Sequence, residues 1–147
     1  MSNTIKIKKY SDVIEEYVAA AAITPGMLVE LASATTVQAH SGQDENVLIM
    51  VALEDELQGG LISTDYDAED QVQVWVPGRG DMINGILALG QNAVVGDFLT
   101  SNGDGNLKVA PAASIAGGDE YPEMIIGQAI EAVNATAAAA RIKVRIK

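Results

Sequence analysis

The chain has no cysteine, one histidine, one tryptophan and one phenylalanine, and aromatic residues make up only 4% of it. Without cysteine there are no disulfides, thiolate metal centres or cysteine nucleophiles, which fits synthesis in a reducing cytosol. One histidine, His40, does not supply the several ligands a zinc-type site draws on. A serine triad built on it lacks the Gly-x-Ser-x-Gly turn. The polar stretch around His40 reads as a solvated loop, and no catalytic role is expected there. Few aromatics also means few platforms for stacking sugars. Long apolar runs are missing too: the longest, Tyr17–Ile23 and Val47–Leu53, have seven residues each, against about 20 for a membrane-spanning helix. No apolar segment follows the basic residues of the N-terminus as in a secretory signal. The expectation is a soluble protein with no membrane partner.

Charge of one sign dominates. The 147 residues carry a formal net charge of −11. Residues 1–10 hold Lys6, Lys8 and Lys9 and no acid; residues 140–147 hold Arg141, Lys143, Arg145 and Lys147 and no acid. All 20 acids lie between, against only Arg79 and Lys108. An acidic body repels nucleic acid and keeps the protein dispersed. The basic ends either face an acidic partner or guard exposed strand edges.

What the chain has in quantity is alternation and turn chemistry. Val72, Val74 and Val76 alternate with Gln71, Gln73 and Trp75; Ile142, Val144 and Ile146 alternate with Arg141, Lys143 and Arg145; Ile5 and Ile7 alternate with Lys6 and Lys8. This period of two marks half-buried strands. Asn102-Gly103 and Asp104-Gly105 predict a hairpin between 97–101 and 107–110. Further breaks fall at Pro25-Gly26, Gly59-Gly60, Pro77–Gly80 and Gly117-Gly118. Residues 12–22 offer a capping box but also alternate before Pro25-Gly26, and extended structure is expected from Glu16 onward. Turns this dense suit a barrel or sandwich of short strands.

A repeat runs through the chain. Gly26–Val29 and Val37–Ala39 match Gly96–Leu99 and Leu107–Val109 at an offset of 70; Ala52-Leu53-Glu54 matches Ala129-Ile130-Glu131 at 77; the valines at 72, 74 and 76 match Ile142, Val144 and Ile146 at 70. The fold expected is all-β with minor α content: a compact β-barrel or β-tulip-like body of short strands. An extended N-terminal arm spans 1–15, and a single β-rich domain spans 16–147 with quasi-repeat halves about 23–76 and 93–147.

Candidate sites are sparse. Asp65, Asp67, Glu69 and Asp70 form the best cation site, since carboxylates are hard oxygen ligands. They lack the EF-hand glycine and terminal glutamate, and a solvated acidic loop is the alternative. Pro77-Gly78-Arg79-Gly80-Asp81 lacks the Lys-Ser/Thr of a phosphate loop; turn chemistry accounts for its Arg-Gly-Asp tripeptide, with a local ion pair at Arg79. Trp75, on the Gln71/Gln73 face, is an interface anchor if that face is exposed and core if it is covered. No catalytic residue, cofactor or metal is expected, and the chain is not read as an enzyme.

The segments Tyr10–Val18, Ile23–Glu30, Ala52–Gly59, Val74–Asp81, Gly96–Leu99, Ser101–Gly105 and Gly127–Glu131, in this order and spacing, resemble tailed-phage capsid cement proteins of the lambda-type head decoration group. The resemblance implies a non-enzymatic protein on the outside of the expanded head, made in the host cytoplasm. It would bind the major capsid protein, commonly as a trimer, and brace coat contacts against packed DNA. It also implies an N-terminal arm reaching onto coat protein. Partner contacts are accordingly expected at Ile5, Lys6, Ile7, Lys8, Lys9, Tyr10, Trp75 and Arg79. A carbohydrate- or receptor-binding β module of the virion surface is the alternative.

Overall fold

The computed structural model describes residues 2–10, 12–45, 47–111 and 122–147. Among the described residues, thirteen strands run in the order β1 (Lys6–Lys8), β2 (Ile14–Ala19), β3 (Val29–Leu31), β4 (Thr36–Ala39), β5 (Val51–Ala52), β6 (Gln71–Trp75), β7 (Met82–Leu87), β8 (Asn92–Ala93), β9 (Phe98–Ser101), β10 (Leu107–Val109), β11 (Gly127–Ala129), β12 (Val133–Asn134) and β13 (Ala140–Ile146). Helix is limited, among the described residues, to two 3₁₀ turns, Glu56–Gln58 and Pro122–Met124. The expected all-β class holds.

Strands β7, β10, β9, β11 and β13 pair in that order, and β13 returns to pair with β7, closing a five-stranded barrel. Closure removes the open edges of the sheet. Strands β3, β4, β2, β6 and β5 form a second sheet in the same connectivity. Its end strands meet at the bridge Leu28↔Val51 and through the Val29 N–H to the Met50 carbonyl (2.9 Å), so it curls shut as well.

The two barrels share their registers residue for residue. Val29 faces Ala39 as Leu99 faces Val109. Val18 faces Gln71 as Ile86 faces Arg141. Ala52 faces Val74 as Ala129 faces Val144, and Leu28 faces Val51 as Phe98 faces Gln128. The parallel pair is repeated too, Ala19↔Val37 and Leu87↔Leu107. The interiors follow: Val29, Val37, Val72 and Val74 fill the first barrel where Leu99, Leu107, Ile142 and Val144 fill the second.

The barrels differ on their outsides. Cross-strand pairing lines up Ile14, Trp75, Val51 and Leu28 on the first barrel and Met82, Arg145, Gln128 and Phe98 on the second. Leu28, Val51 and Trp75 are buried in one cluster with the core of the second barrel. The first barrel thus docks by its outer row. Trp75, 0% exposed, is core and not the surface anchor that its place beside Gln71 and Gln73 allowed.

The N-terminal segment is extended but not free. Strand β1 pairs antiparallel with β7, Lys6 opposite Ile83 and Lys8 opposite Met82 with a bulge between. Ile5 is 0% exposed within the main core. Both oxygens of Glu54 accept its N–H (3.2 Å each), and Asp81 Oδ1 accepts the Tyr10 N–H (2.6 Å). Ile5 is therefore corrected from a partner contact to a core residue: alternation put it on an apolar face, and that face is covered by the chain's own barrels.

Truncating Ile5 to Ala should cost about 2–5 kcal/mol, the range for deleting a buried isoleucine side chain, read from urea unfolding; an unchanged midpoint would refute the docked arrangement. Gly26 and Gly96 share φ +95. An added Cβ would meet Arg141 Nη1 at 2.2 Å and the Asn84 carbonyl at 2.8 Å at Gly26, but nothing nearer than 3.8 Å at Gly96. Gly26→Ala should destabilise clearly more than Gly96→Ala, whose cost is about 1 kcal/mol of backbone strain.

Candidate functional site

The seam between the barrels is polar where it is not apolar. Arg141, on the outer face of β13, donates from Nη1 to the Pro25 carbonyl (2.6 Å) and from Nη2 to that of Ile62 (2.5 Å). Burial draws its pKa below the ordinary value, while Glu54 and Asp65 act in the opposite sense. The β9–β10 hairpin is pinned to the first barrel by Leu28 N–H to Gly105 O (2.8 Å), Gly105 N–H to His40 O (3.1 Å) and the Lys108–Asp44 ion pair (2.7 Å).

His40 belongs to this seam and is buried, which corrects its reading as a solvated loop residue. Its Nδ1 shares a 2.8 Å hydrogen bond with Ser101 Oγ, and its Nε2 lies 3.7 Å from Glu30 Oε2. Burial pushes the Glu30 carboxyl up, but hydrogen bonds from Ser41 and Gln38 and the nearby His40 outweigh it and leave the pKa lowered. Serine, histidine and glutamate in a row invite comparison with a hydrolytic triad. In such a triad Nε2 takes the serine proton and the carboxylate holds Nδ1; here the two nitrogens are exchanged. Ser101 is fully buried, and its Oγ also accepts the Gly103 N–H (3.1 Å). The three residues join the barrels, Glu30 and His40 from the first and Ser101 from β9 of the second.

The other motifs resolve in the same way. Asp81 of the Arg-Gly-Asp tripeptide is buried, and its Oδ2 accepts the Gly78 N–H (2.7 Å). The tripeptide is a turn, and Arg79 is exposed and forms no ion pair among the described residues, against the expected local pair. In the acidic loop, Asp70 Oδ2 accepts the Asp67 N–H (2.8 Å), and Glu69 takes φ +74. Among the described residues no group of three or more acids or histidines is placed to hold a metal ion.

What remains for binding is surface. Of the residues expected to meet a partner, Lys8, Lys9, Tyr10 and Arg79 are exposed, while Lys6 and Ile7 are half-buried. Lys8 Nζ stands 5.9 Å from the centre of the Tyr10 ring. Lys6 and Lys9 both bind Asp12 (3.2 and 2.6 Å), and the hydrogen bond from Lys9, then that from Lys6, lowers its pKa. Two clefts flank the exposed Leu57. One, about 500 Å³, is lined by Glu16, Asp55, Tyr66, Asp70, Gln71 and Gln73; the other, about 210 Å³, by Lys6, Ile14, Leu53, Glu54 and Glu56. No sequence motif marked these clefts: their residues come from β1, β2, β6 and two loops.

Charge separates by barrel. Residues 12–76 hold thirteen acids and no lysine or arginine, whereas residues 77–147 hold seven acids and six bases. The first barrel is an acidic body; the second, with β1 laid on it, carries the cations.

No protein-family model matches the chain, and no curated protein sequence matches it. Among solved structures, it is similar in fold to the N base of the head fiber gp8.5 of bacteriophage phi29, at 16% identity and a TM-score of 0.58 over 93% of this chain and 95% of that one.

Tyr66 generates a pH test. Its hydroxyl donates to the Leu53 carbonyl (2.7 Å), and burial foremost pushes its pKa up to about 12. A folded pKa above the unfolded value means its stabilisation is full below about pH 10 and is lost as pH rises through about 12. Unfolding measured across this window should show the loss, and Tyr66→Phe should flatten it.

Proposed function

We propose that this protein is a structural component of a phage head that decorates the capsid exterior and stabilises coat-protein contacts without catalysis. The observation that carries the reading is the fold it shares, over nearly the whole of both chains, with the base of a phage head fiber. The resemblance of its sequence motifs to lambda-type cement proteins favours decoration and cementing within that setting. Its major partner is then the capsid protein.

The docked N-terminal strand changes how such contact would be made. Strand donation by residues 5–10 would require withdrawing Ile5 from the core and breaking the Glu54 and Asp81 bonds. A contact made by the exposed side chains of the docked segment, Lys8, Lys9 and Tyr10, needs neither. Tyrosine and nearby cations suit an interface anchor on an acidic surface.

Binding is tested by co-sedimentation with expanded capsids of the cognate phage that lack the protein. Saturable binding and a shell that resists heat or denaturant better are expected, with Lys8→Glu/Tyr10→Ser weakening affinity about tenfold, roughly 1.4 kcal/mol. Deleting residues 1–10 is the poorer test, because it removes the buried Ile5. A folded wild-type chain that neither sediments with capsids nor alters their rupture refutes the reading; glycan binding by that chain would support the receptor-binding module instead.

A further inference from the structure

The repeat predicts where a second copy of this chain docks. Within one chain, the turn Thr24–Met27 of the first barrel sits on the outer face of β7–β13. The Pro25 carbonyl takes the Arg141 Nη1 bond, and Gly26 lies so close to Arg141 and the Asn84 carbonyl that no Cβ fits. The corresponding turn of the second barrel is Val94–Asp97. The same bonds close both turns: Met27 N–H to Thr24 O and Asp97 N–H to Val94 O (3.1 Å each), Gly26 N–H to Ala52 O (2.7 Å) and Gly96 N–H to Ala129 O (2.9 Å). Yet this second turn meets solvent, with Val94 54% and Val95 67% exposed. A docking element is present twice and used once.

The receiving face is also present twice. The registers that relate Ile86↔Arg141 to Val18↔Gln71, and Asn84↔Lys143 to Glu16↔Gln73, make the outer face of β2–β6 the counterpart of the face that holds Pro25-Gly26. Among the described residues that face is uncovered and concave: it is the 500 Å³ cleft lined by Glu16, Asp55, Asp70, Gln71 and Gln73.

Charge selects the pairing. The cleft belongs to the barrel with no lysine or arginine. The exposed turn stands beside the row Phe98, Gln128, Arg145 and Met82, to which it is tied by Gln128 Nε2 donating to Gly96 O (2.9 Å). Where the first barrel has Trp75 in this row and docks by apolar burial, the second has the exposed Arg145. The exposed Arg145 suits an acidic partner, and the chain carries an acidic cleft.

We infer that copies of this protein associate head to tail, the Val94–Asp97 turn and Arg145 of one entering the Glu16/Gln71 cleft of the next. The contact is heterologous: donor and acceptor are different surfaces, so copies joined by it form a ring or continue as a chain. It rests on the fold and its charges and stands apart from the capsid reading.

Light scattering and sedimentation equilibrium of the full chain test it. At ~100 μM and low salt the wild type should exceed the 15.3 kDa of one chain and should dissociate progressively between ~0.05 and ~0.5 M salt. A donor variant, Val95→Asp/Arg145→Glu, and an acceptor variant, Glu16→Lys/Gln71→Lys, should each be monomeric. All four positions are exposed, so both variants should unfold at the wild-type temperature. Mixed one to one, they bring together one unaltered donor and one unaltered acceptor, and association should return, to at least a heterodimer of about twice 15.3 kDa. A monomeric wild type, variants that assemble like the wild type, or a mixture that stays monomeric would each overturn the inference.

Discussion

The apolar row on the outside of the first barrel, Leu28, Val51 and Trp75, has to leave water, and the second barrel is what covers it. Interiors of Val29, Val37, Val72 and Val74 make a small core, and small domains bury too little surface to be robust alone. Each large side chain taken from water contributes about 1.5–3 kcal/mol, so the row adds a share comparable with the interior. The cost shows in the Trp75 indole N–H, which is buried without a partner among the described residues; such a group costs on the order of 1–3 kcal/mol. The other seam contacts follow from this docking. Arg141 reaches Pro25 and Ile62, His40 meets Ser101, and Lys108 meets Asp44 only because the apolar row brings the barrels together.

Two carboxylates then determine where the N-terminal segment lies. Glu54 and Asp81 are buried; Glu54 accepts the Ile5 N–H with both oxygens, and Asp81 accepts the Tyr10 N–H with one and the Gly78 N–H with the other. Hydrogen bonds to ionised acceptors are stronger than neutral ones, and an unpaired buried carboxylate is costly, so strand and carboxylates hold one another. This makes the segment part of the body and leaves Lys8, Lys9 and Tyr10 as its outward face. The surface pattern of the molecule is an acidic barrel with an open cleft on β2–β6 and a second barrel with an exposed turn beside Arg145.

Much of this was legible in the residues. Alternation at 72–76 and 140–146 marks β6 and β13, Asn-Gly and Asp-Gly mark the β9–β10 hairpin, and the offsets of 70 and 77 relate β3, β4, β6 and β5 to β9, β10, β13 and β11, while β2 and β7 differ by 68. Burial was not legible where it depends on what lies opposite. Trp75 and Arg145 hold equivalent places in equivalent strands, yet one is core and the other is surface. His40 has polar chain neighbours, yet it is buried and bonds Ser101, 61 positions away. The clefts were not legible because Glu16, Asp55 and Asp70 are far apart in the chain and meet only where β6 pairs with β2 on one side and β5 on the other.

The sequence by itself determined the strands, their turns and the two-fold plan, because period-two alternation and positive-φ turn residues act over a few bonds and need no partner. It also determined the charge of each half. Only the tertiary structure decided which outer face is buried, that the N-terminal strand is latched and that the Val94–Asp97 turn and the cleft on β2–β6 stay open. Those outcomes are set by the apposition of surfaces distant in the chain, and the burial and hydrogen bonding that stabilise them exist only after the barrels have met.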